Sequence, residues 1–421
     1  MRLTGLMRAA LCTTTVVLMA AAFAPHAMAQ GAAPVADSAA VRTQSATATS
    51  VAASPAPVDA VAPYIAPAPP DYPRGKISGY LFGDAYYNAN GDPVHIYNAT
   101  GGDLGSANID GAKPITKDLN GIQLRRVYFQ LDNDLSVRYA TRLRLEMDSK
   151  ALSSDGKVSA FVKNAYFQAR SVIPRGDVLF GMVNTPTWEN AEEFWQYRAI
   201  EKTLADFRGI GSASDIGVAL KGFVDGDHHA GYNLMIGDGN GQKPETDRFK
   251  KVYFTLPLRF GELRLEPYVD AQSVRVNLTP KVASHTDSFA VNNDQATYKL
   301  FAGYEFHRFG VGAEGVVRVQ HLGPAASREP RGASLFARGT LRPTLGAFAR
   351  LDVWQPDHRA ANRVDTRLWI AGVDWQPFKD VHVMPNVEAV QYVAHGTALA
   401  PTHADVQARI TVYCRFSRPQ S

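Results

Sequence analysis

From Lys76 onward, polar and apolar side chains alternate along stretches of roughly 8–13 residues, with Gly, Pro, Asn and Asp between them, the signature of β-strands. The segment "RLRLEMD" (142–148) is the plainest case. Arg142, Arg144, Glu146 and Asp148 carry charge, and Leu143, Leu145 and Met147 fall between them. The pattern predicts strands at 76–88, 121–133, 137–149, 160–171, 177–183, 214–224, 229–237, 250–259, 262–273, 296–306, 309–321, 332–342, 345–355, 366–377, 381–393 and 404–416, about sixteen in all. Short connections such as "NDLS", "IPRG", "FG", "RPT" and "PFKD" alternate with long ones at 89–120, 150–159, 184–213, 238–249, 274–295, 322–331, 356–365 and 394–403. An even strand number, with short turns at one end and long loops at the other, predicts an all-β fold: a transmembrane antiparallel β-barrel. A β-sandwich rarely holds so many strands. A propeller needs a blade motif at a fixed period, and none is present.

Energy decides which face is which. An arginine facing lipid at mid-membrane costs ~2–4 kcal/mol. Turning "RLRLEMD" inside out would expose two arginines and two acids together, so its leucines and Met147 are expected against lipid and its charges against water. The same test sends Val127, Phe129 and Leu131 outward, with Arg126, Tyr128, Gln130 and Asp132 inward. It sends Leu263, Leu265 and Val269 outward, with Arg264, Glu266, Tyr268 and Asp270 inward. In the last strand Val406, Ala408, Ile410, Val412, Cys414 and Phe416 are expected against lipid, opposite Gln407, Arg409, Thr411, Tyr413 and Arg415. Tyr80, Trp354, Trp375 and Tyr392 near strand ends suit an interfacial girdle. A barrel this wide is not filled by its own side chains, so a water-filled channel is expected.

The rest of the chain adds an address. Arg2 and Arg8 precede an apolar run that ends in "AMA", the form of a secretory signal peptide cleaved after Ala29. Residues 30–75 are rich in Ala and Pro and read as an extended periplasmic linker that buries no core. The barrel is expected at 76–416, with a short tail at 417–421. Beyond the first thirty residues no apolar run approaches the ~20 residues of a membrane helix. Cys12 leaves with the signal, so the mature protein holds Cys414 alone and no internal disulfide. A net charge of +4 over 421 residues leaves no clustered basic footprint for nucleic acid.

Candidate chemistry lies in the lumen. The loop at 184–213 carries Trp188, Glu189, Glu192, Glu193, Trp195 and Arg198 with helix-like spacing, and is expected to fold inward and set the constriction. Inward-facing Arg126, Arg142, Arg144, Arg170, Arg264, Arg318, Arg338 and Arg409 could form an anion ladder. Asp132, Glu146, Asp148, Glu266, Asp270 and Glu314 share that lumen and favour instead a mixed-charge wall without sharp specificity. A barrel enzyme needs a nucleophile with a His in reach. Here "GDHHAG" (226–231) falls in a short turn, and His285, His321 and His395 are scattered in or beside long loops. No cofactor or metal site is expected, and "GDGNGQ" (237–242) reads as a turn.

The order of "ISGYLFGDAYY" (77–87), "GIQLRRVYFQLDNDLS" (121–136), "RLRLEMD", "VKNAYFQAR" (162–170), "GDVLFGMVNTPTWENAEEFWQYRAIEKT" (176–203), "WIAGVDWQP" (369–377) and "ARITVYCRF" (408–416) resembles the phosphate-selective porin O and P family. The resemblance covers most of the chain after Lys76. It implies a homotrimer of sixteen-stranded barrels, inward-folded loops and basic side chains that guide anions. Two features depart from it: the chain runs past Phe416, and the long loops hold no dense lysine cluster. Phe416 would then be the mark read by the barrel-assembly machinery. Taken together, the residues predict a passive porin of the outer membrane, in contact with its lipid, that conducts small hydrophilic solutes or anions. The alternatives are an outer-membrane enzyme and a structural barrel tied to the cell wall through the linker.

Overall fold

The computed structural model describes residues 71–419 apart from 104, 107–108, 110–112, 153–156, 279–288 and 324–326. The expected signal peptide, the linker up to residue 70 and His285 lie outside the described residues.

Seventeen antiparallel segments form one closed wall: β1 (Arg74–Asn90), β2 (Asn120–Asp134), β3 (Tyr139–Leu152), β4 (Val158–Ile173), β5 (Gly176–Asn184), β6 (Ser214–Phe223), β7 (Gly231–Gly237), β8 (Lys251–Thr255), β9 (Leu258–Phe260), β10 (Leu263–Leu278), β11 (Phe289–Phe306), β12 (Phe309–Leu322), β13 (Arg331–Arg342), β14 (Leu345–Gln355), β15 (Arg363–Phe378), β16 (Val381–His395) and β17 (Asp405–Pro419). Both β8 and β9 pair with β10, so they are two parts of one wall strand and the barrel has sixteen. The break falls at Leu256-Pro257, where proline has no N–H to give the ladder. β1 pairs with β2 on one side and β17 on the other, which closes the wall. Every expected strand is present. β1 begins at Arg74 and β17 runs to Pro419, so the ladder takes in residues read as linker and as tail.

The seam between first and last strands is tight. A Cβ on Gly79 would sit 2.5 Å from Phe416 Cζ and 2.2 Å from the Tyr128 carbonyl oxygen, so only glycine lets the Phe416 ring lie flat across the join.

Charged and apolar faces separate as the energy test requires. Leu143 is exposed outward while Glu146 is 1% exposed, and Arg142 lies 2.6 Å from Asp132 inside. Four departures from the expected pattern matter. First, β2 bulges between the pairs Phe82↔Arg126 and Gly83↔Leu124, which turns Arg125 inward beside Arg126. Second, β4 bulges between Arg144↔Asn164 and Leu145↔Val162, which buries Lys163 beside Asn164. A bulge re-aims one side chain, and here each rescues a cation that period two would place in lipid.

Third, Tyr80, Trp354 and Tyr392 are not girdle residues. Tyr80 packs with its ring tilted against Tyr128, centroids 4.5 Å apart, Trp354 packs with Leu204 and Ala205, and Tyr392 donates to Asp405 at 2.7 Å, all inside. Only Trp375 of the four faces out, 51% exposed. Fourth, much of 274–295, expected as loop, is strand. There the polarity reverses: Ser273, Arg275, Asn277, Asn292 and Asp294 are exposed on the outward face, and Val291 is buried on the other. The alternation is present with its faces exchanged, because this hairpin stands above the apolar belt in water.

The belt can be tested by charge insertion. Leu145→Arg, in the middle of the apolar face of β3, should lose about 2–4 kcal/mol in reversible unfolding, whereas Asn292→Arg, above the polarity reversal, should lose about 0–1. Equal costs at the two positions would show that the belt has been placed wrongly.

Candidate functional site

The connection 185–213 does not stay outside. It enters the barrel as helix α1 (Glu189–Trp195), a bend at 196–203 and helix α2 (Leu204–Phe207), and its apolar side chains are sealed against one half of the wall. Phe194 and Trp195 are 0% exposed. Phe194 meets Phe301 edge-on at 5.6 Å, and Trp195 meets Phe336 at 5.2 Å and Phe348 at 6.0 Å. The wall makes room for them: a Cβ on inward-facing Gly303 would come within 2.7 Å of the Phe194 ring. Ile109 and Ile115 of the 91–119 connection join the same cluster. The expected channel is therefore filled on this side by a loop rather than by wall side chains.

The wall holds this loop by its main chain. Arg338 (β13) donates to the Phe194 carbonyl at 2.7 Å. Arg125 (β2) donates to the carbonyls of Ala199 and Ile200 at 3.1 and 2.7 Å. Arg409 (β17) donates to Ile200 at 3.2 Å, and Arg350 (β14) donates to the Lys202 carbonyl. Glu314 (β12) accepts the N–H groups of Leu204 and Ala205 at 3.0 and 3.3 Å, capping the otherwise unpaired start of α2. Each arginine also meets a wall carboxylate: Arg125 with Asp84 at 3.4 Å, Arg338 with Glu305 at 2.6 Å, Arg350 with Asp352 at 2.6 Å, and Arg409 with Glu388. Arg338 and Arg409, expected in an anion ladder, are thus engaged by loop carbonyls and acids.

With Trp195 buried in the aromatic cluster, the other five loop residues named from sequence divide between the cavity and the bracing of the loop. Glu189 and Glu193 are four apart, share one face of α1 and line a cavity on the opposite half of the barrel. Glu189 pairs with Lys221 at 3.2 Å and Glu193 with Arg264 at 3.2 Å. Trp188, Glu192 and Arg198 instead brace the loop. Trp188 donates to the Ala213 carbonyl at 2.9 Å, and the Arg198 guanidinium lies 5.2 Å above its ring while pairing with Glu192 and, at 3.2 Å, with Asp206. Burial pushes Asp206 up, but Lys202 and Arg198 outweigh it and hold the carboxyl at about 2. Burial raises Glu192, and Arg198 offsets this only in part.

The cavity is about 780 Å³, bounded by α1 and the β4–β10 wall, and reaches the short turns at His228, His229 and Arg259. Its charges balance, with Arg175, Lys221, Arg259 and Arg264 against Asp177, Glu189, Glu193 and Glu266. A recess of about 70 Å³ beside it adds Arg142. Of the remaining nominated lumen residues, Arg126 pairs with Glu146 at 3.5 Å, and Asp270 with Lys251 at 3.0 Å. Asp148 stands opposite Arg126 in the ladder. Arg170 pairs with Asp134 at the short-turn rim rather than at mid-lumen. Among the described residues Arg144 and Arg318 have no carboxylate within salt-bridge reach; Arg144 donates to Gln130 at 2.6 Å and Arg318 to Thr297 at 3.3 Å.

Sequence reading missed Arg125, Lys163 and Arg350. For the first two, the signal was a polar pair, "RR" or "KN", interrupting an alternating strand. Among the described residues no three His, Cys, Asp or Glu side chains converge as a metal would require. His228 stacks on Phe223 at 4.1 Å, and His229 lies 3.2 Å from Asp225 of its own turn. The "GDGNGQ" segment is a turn held by Asp215, which accepts the N–H groups of Gly239 and Gly241 at 2.8 and 3.0 Å.

No family model matches the chain, and no curated protein does. Solved structures do match in fold. A loop L8 deletion mutant of OmpT, an outer membrane protein of Vibrio cholerae, is 12% identical, with 82% of this chain covering 100% of that one at a TM-score of 0.56. The outer membrane channel DcaP of Acinetobacter baumannii is 12% identical, 81% against 97%, TM-score 0.57. An anion-selective porin from Comamonas acidovorans is 10% identical, 82% against 100%, TM-score 0.54. At such identities the likeness is one of architecture: this chain has the closed antiparallel barrel of outer-membrane proteins.

Proposed function

We propose that this protein is a porin of the outer membrane, a passive channel for small hydrophilic solutes. The observation that carries the reading is the pairing of an apolar outer belt with a charged lumen into which one long connection folds. Loop 185–213 then sets the constriction, with Glu189 and Glu193 as its solute-facing groups. The motif order resembles that of the phosphate-selective porins O and P. Six of the eight candidate ladder arginines meet carboxylates, which supports a general pore. A mild anion preference would rest on Arg144 and Arg318.

The reading includes a homotrimer, export by the cleaved signal peptide, and insertion by the assembly machinery through the Phe416 strand. Asymmetry of the outer surface supports the trimer. The lateral row Val311–Ala337–Ala349–Ala371–Val387–Ala408 across β12–β17 is small, so a second copy can approach closely. The row Phe167–Phe180–Val218–Ile236–Val252 across β4–β8 is bulky and suits lipid. A Vibrio cholerae OmpT structure is likewise described in a trimer form.

In planar bilayers the full chain should conduct, and deletion of 188–205 should raise single-channel conductance about twofold or more; an unchanged value rejects the constriction role. In a salt gradient the reversal potential should sit slightly on the anion side and move toward zero in Arg144→Gln/Arg318→Gln. A clear cation preference rejects this assignment. Ala371→Trp should convert the detergent-solubilised trimer to monomer by light scattering while Val218→Trp does not, and the same mass for both places the interface elsewhere.

A further inference from the structure

We propose that the cavity between α1 and the β4–β10 wall is a binding subsite for a neutral, polyhydroxylated solute of about monosaccharide size. The proposal deepens the channel reading and rests on it. At about 780 Å³ the space lies within the usual range of small-molecule sites.

Two of its lining side chains present buried acceptors that the fold does not use. Asn233 on β7 is 5% exposed and Glu266 on β10 is 1% exposed. Asn233 Oδ1 and Glu266 Oε2 have no hydrogen-bond partner among the described residues. Native folds leave few buried polar atoms unpaired, and such a group calls for an explanation. Both atoms accept, so a ligand that satisfies them must donate.

Charge then narrows the class. Three of the four carboxylates around the space are already neutralised, Glu266 by Lys299, Glu189 by Lys221 and Glu193 by Arg264, each at 3.2 Å, and the fourth, Asp177, accepts from the Gln168 amide at 2.8 Å and the Ser171 N–H at 2.9 Å. An added cation would compete with these ammonium and guanidinium groups. A small anion such as hydrogen phosphate is mostly acceptor and adds negative charge beside carboxylates that are already balanced. Hydroxyl groups serve both needs, donating to Asn233 and Glu266 and accepting from a cation such as Arg259. The half-buried Tyr166 ring on β4 lines the same space and offers the apolar surface against which the C–H face of a sugar ring packs.

The test uses the full chain in planar bilayers, with glucose as the probe and inorganic phosphate and lysine as anionic and cationic comparisons. Glucose should produce concentration-dependent transient blocks of the current, and phosphate and lysine at equal concentration should not. Asn233→Leu should raise the half-blocking glucose concentration about tenfold, equivalent to about 1.4 kcal/mol. Glu266→Gln, a near-isosteric change, should shift it in the same direction and covers the case in which Asn233→Leu fails to fold. Absence of glucose block in a conducting wild-type chain overturns the subsite and leaves the channel reading intact; so does stronger block by phosphate or lysine. A folded chain that conducts nothing sinks the channel reading, and calorimetric titration of glucose into the detergent-solubilised protein then decides the subsite: no heat of binding rejects it.

Discussion

The structure depends on arginines that hold a loop by its carbonyl groups. A sixteen-stranded wall encloses more space than its own side chains can fill, and this chain fills half of it with one connection. That connection carries a main chain with orphan carbonyls and N–H groups into the lumen, where they must find partners. Arg125, Arg338, Arg350 and Arg409 supply the donors and Glu314 the acceptor, each from a different strand. Without them the aromatic cluster of Phe194 and Trp195 would still attract the loop, but nothing would fix its depth or rotation.

Placing four guanidinium groups inside a barrel is tolerable only because each is paired. Breaking a buried pair typically costs 3–5 kcal/mol, since one charge is left uncompensated. The wall meets this by setting acid beside base, as in Asp84–Arg125 and Glu388–Arg409, and the loop adds its own Glu201 to Arg125. The consequence for transport is indirect. Charge committed to architecture is withdrawn from the solute path, so a basic lumen by composition becomes a nearly balanced one in space.

How much of this was legible in sequence follows from which rules are local. Alternation and loop length are local, and they located every strand and the inward loop. Alternation fails wherever the ladder slips by one residue. At Arg125 and Lys163 period two predicts a cation in lipid, and that impossibility was itself the available clue to a bulge. The inward aromatics Tyr80, Trp354 and Tyr392 were misread because a girdle and a lumenal cluster use the same residue types near strand ends. The reversed hairpin of β10 and β11 was read as loop because polar residues replace apolar ones on its outward face once it leaves the belt. Sequence sends Arg338, Arg409 and Glu314 inward but gives no sign that they clamp the loop, since what they meet there is backbone.

The seam where Phe416 crosses Gly79 sets an order of events. Most strand pairs here join neighbours in the chain and can zip up as hairpins. The pairing of β1 with β17 joins residues more than three hundred positions apart, the most distant contact in the wall. Pairing of such high sequence separation forms slowly and late. Arg409 lies on that last strand, so its hold on Ile200 is made only when the wall closes. The step that finishes the barrel thus adds Arg409 to a clamp in which Arg338, Arg350 and Glu314 stand on β12–β14, away from the seam.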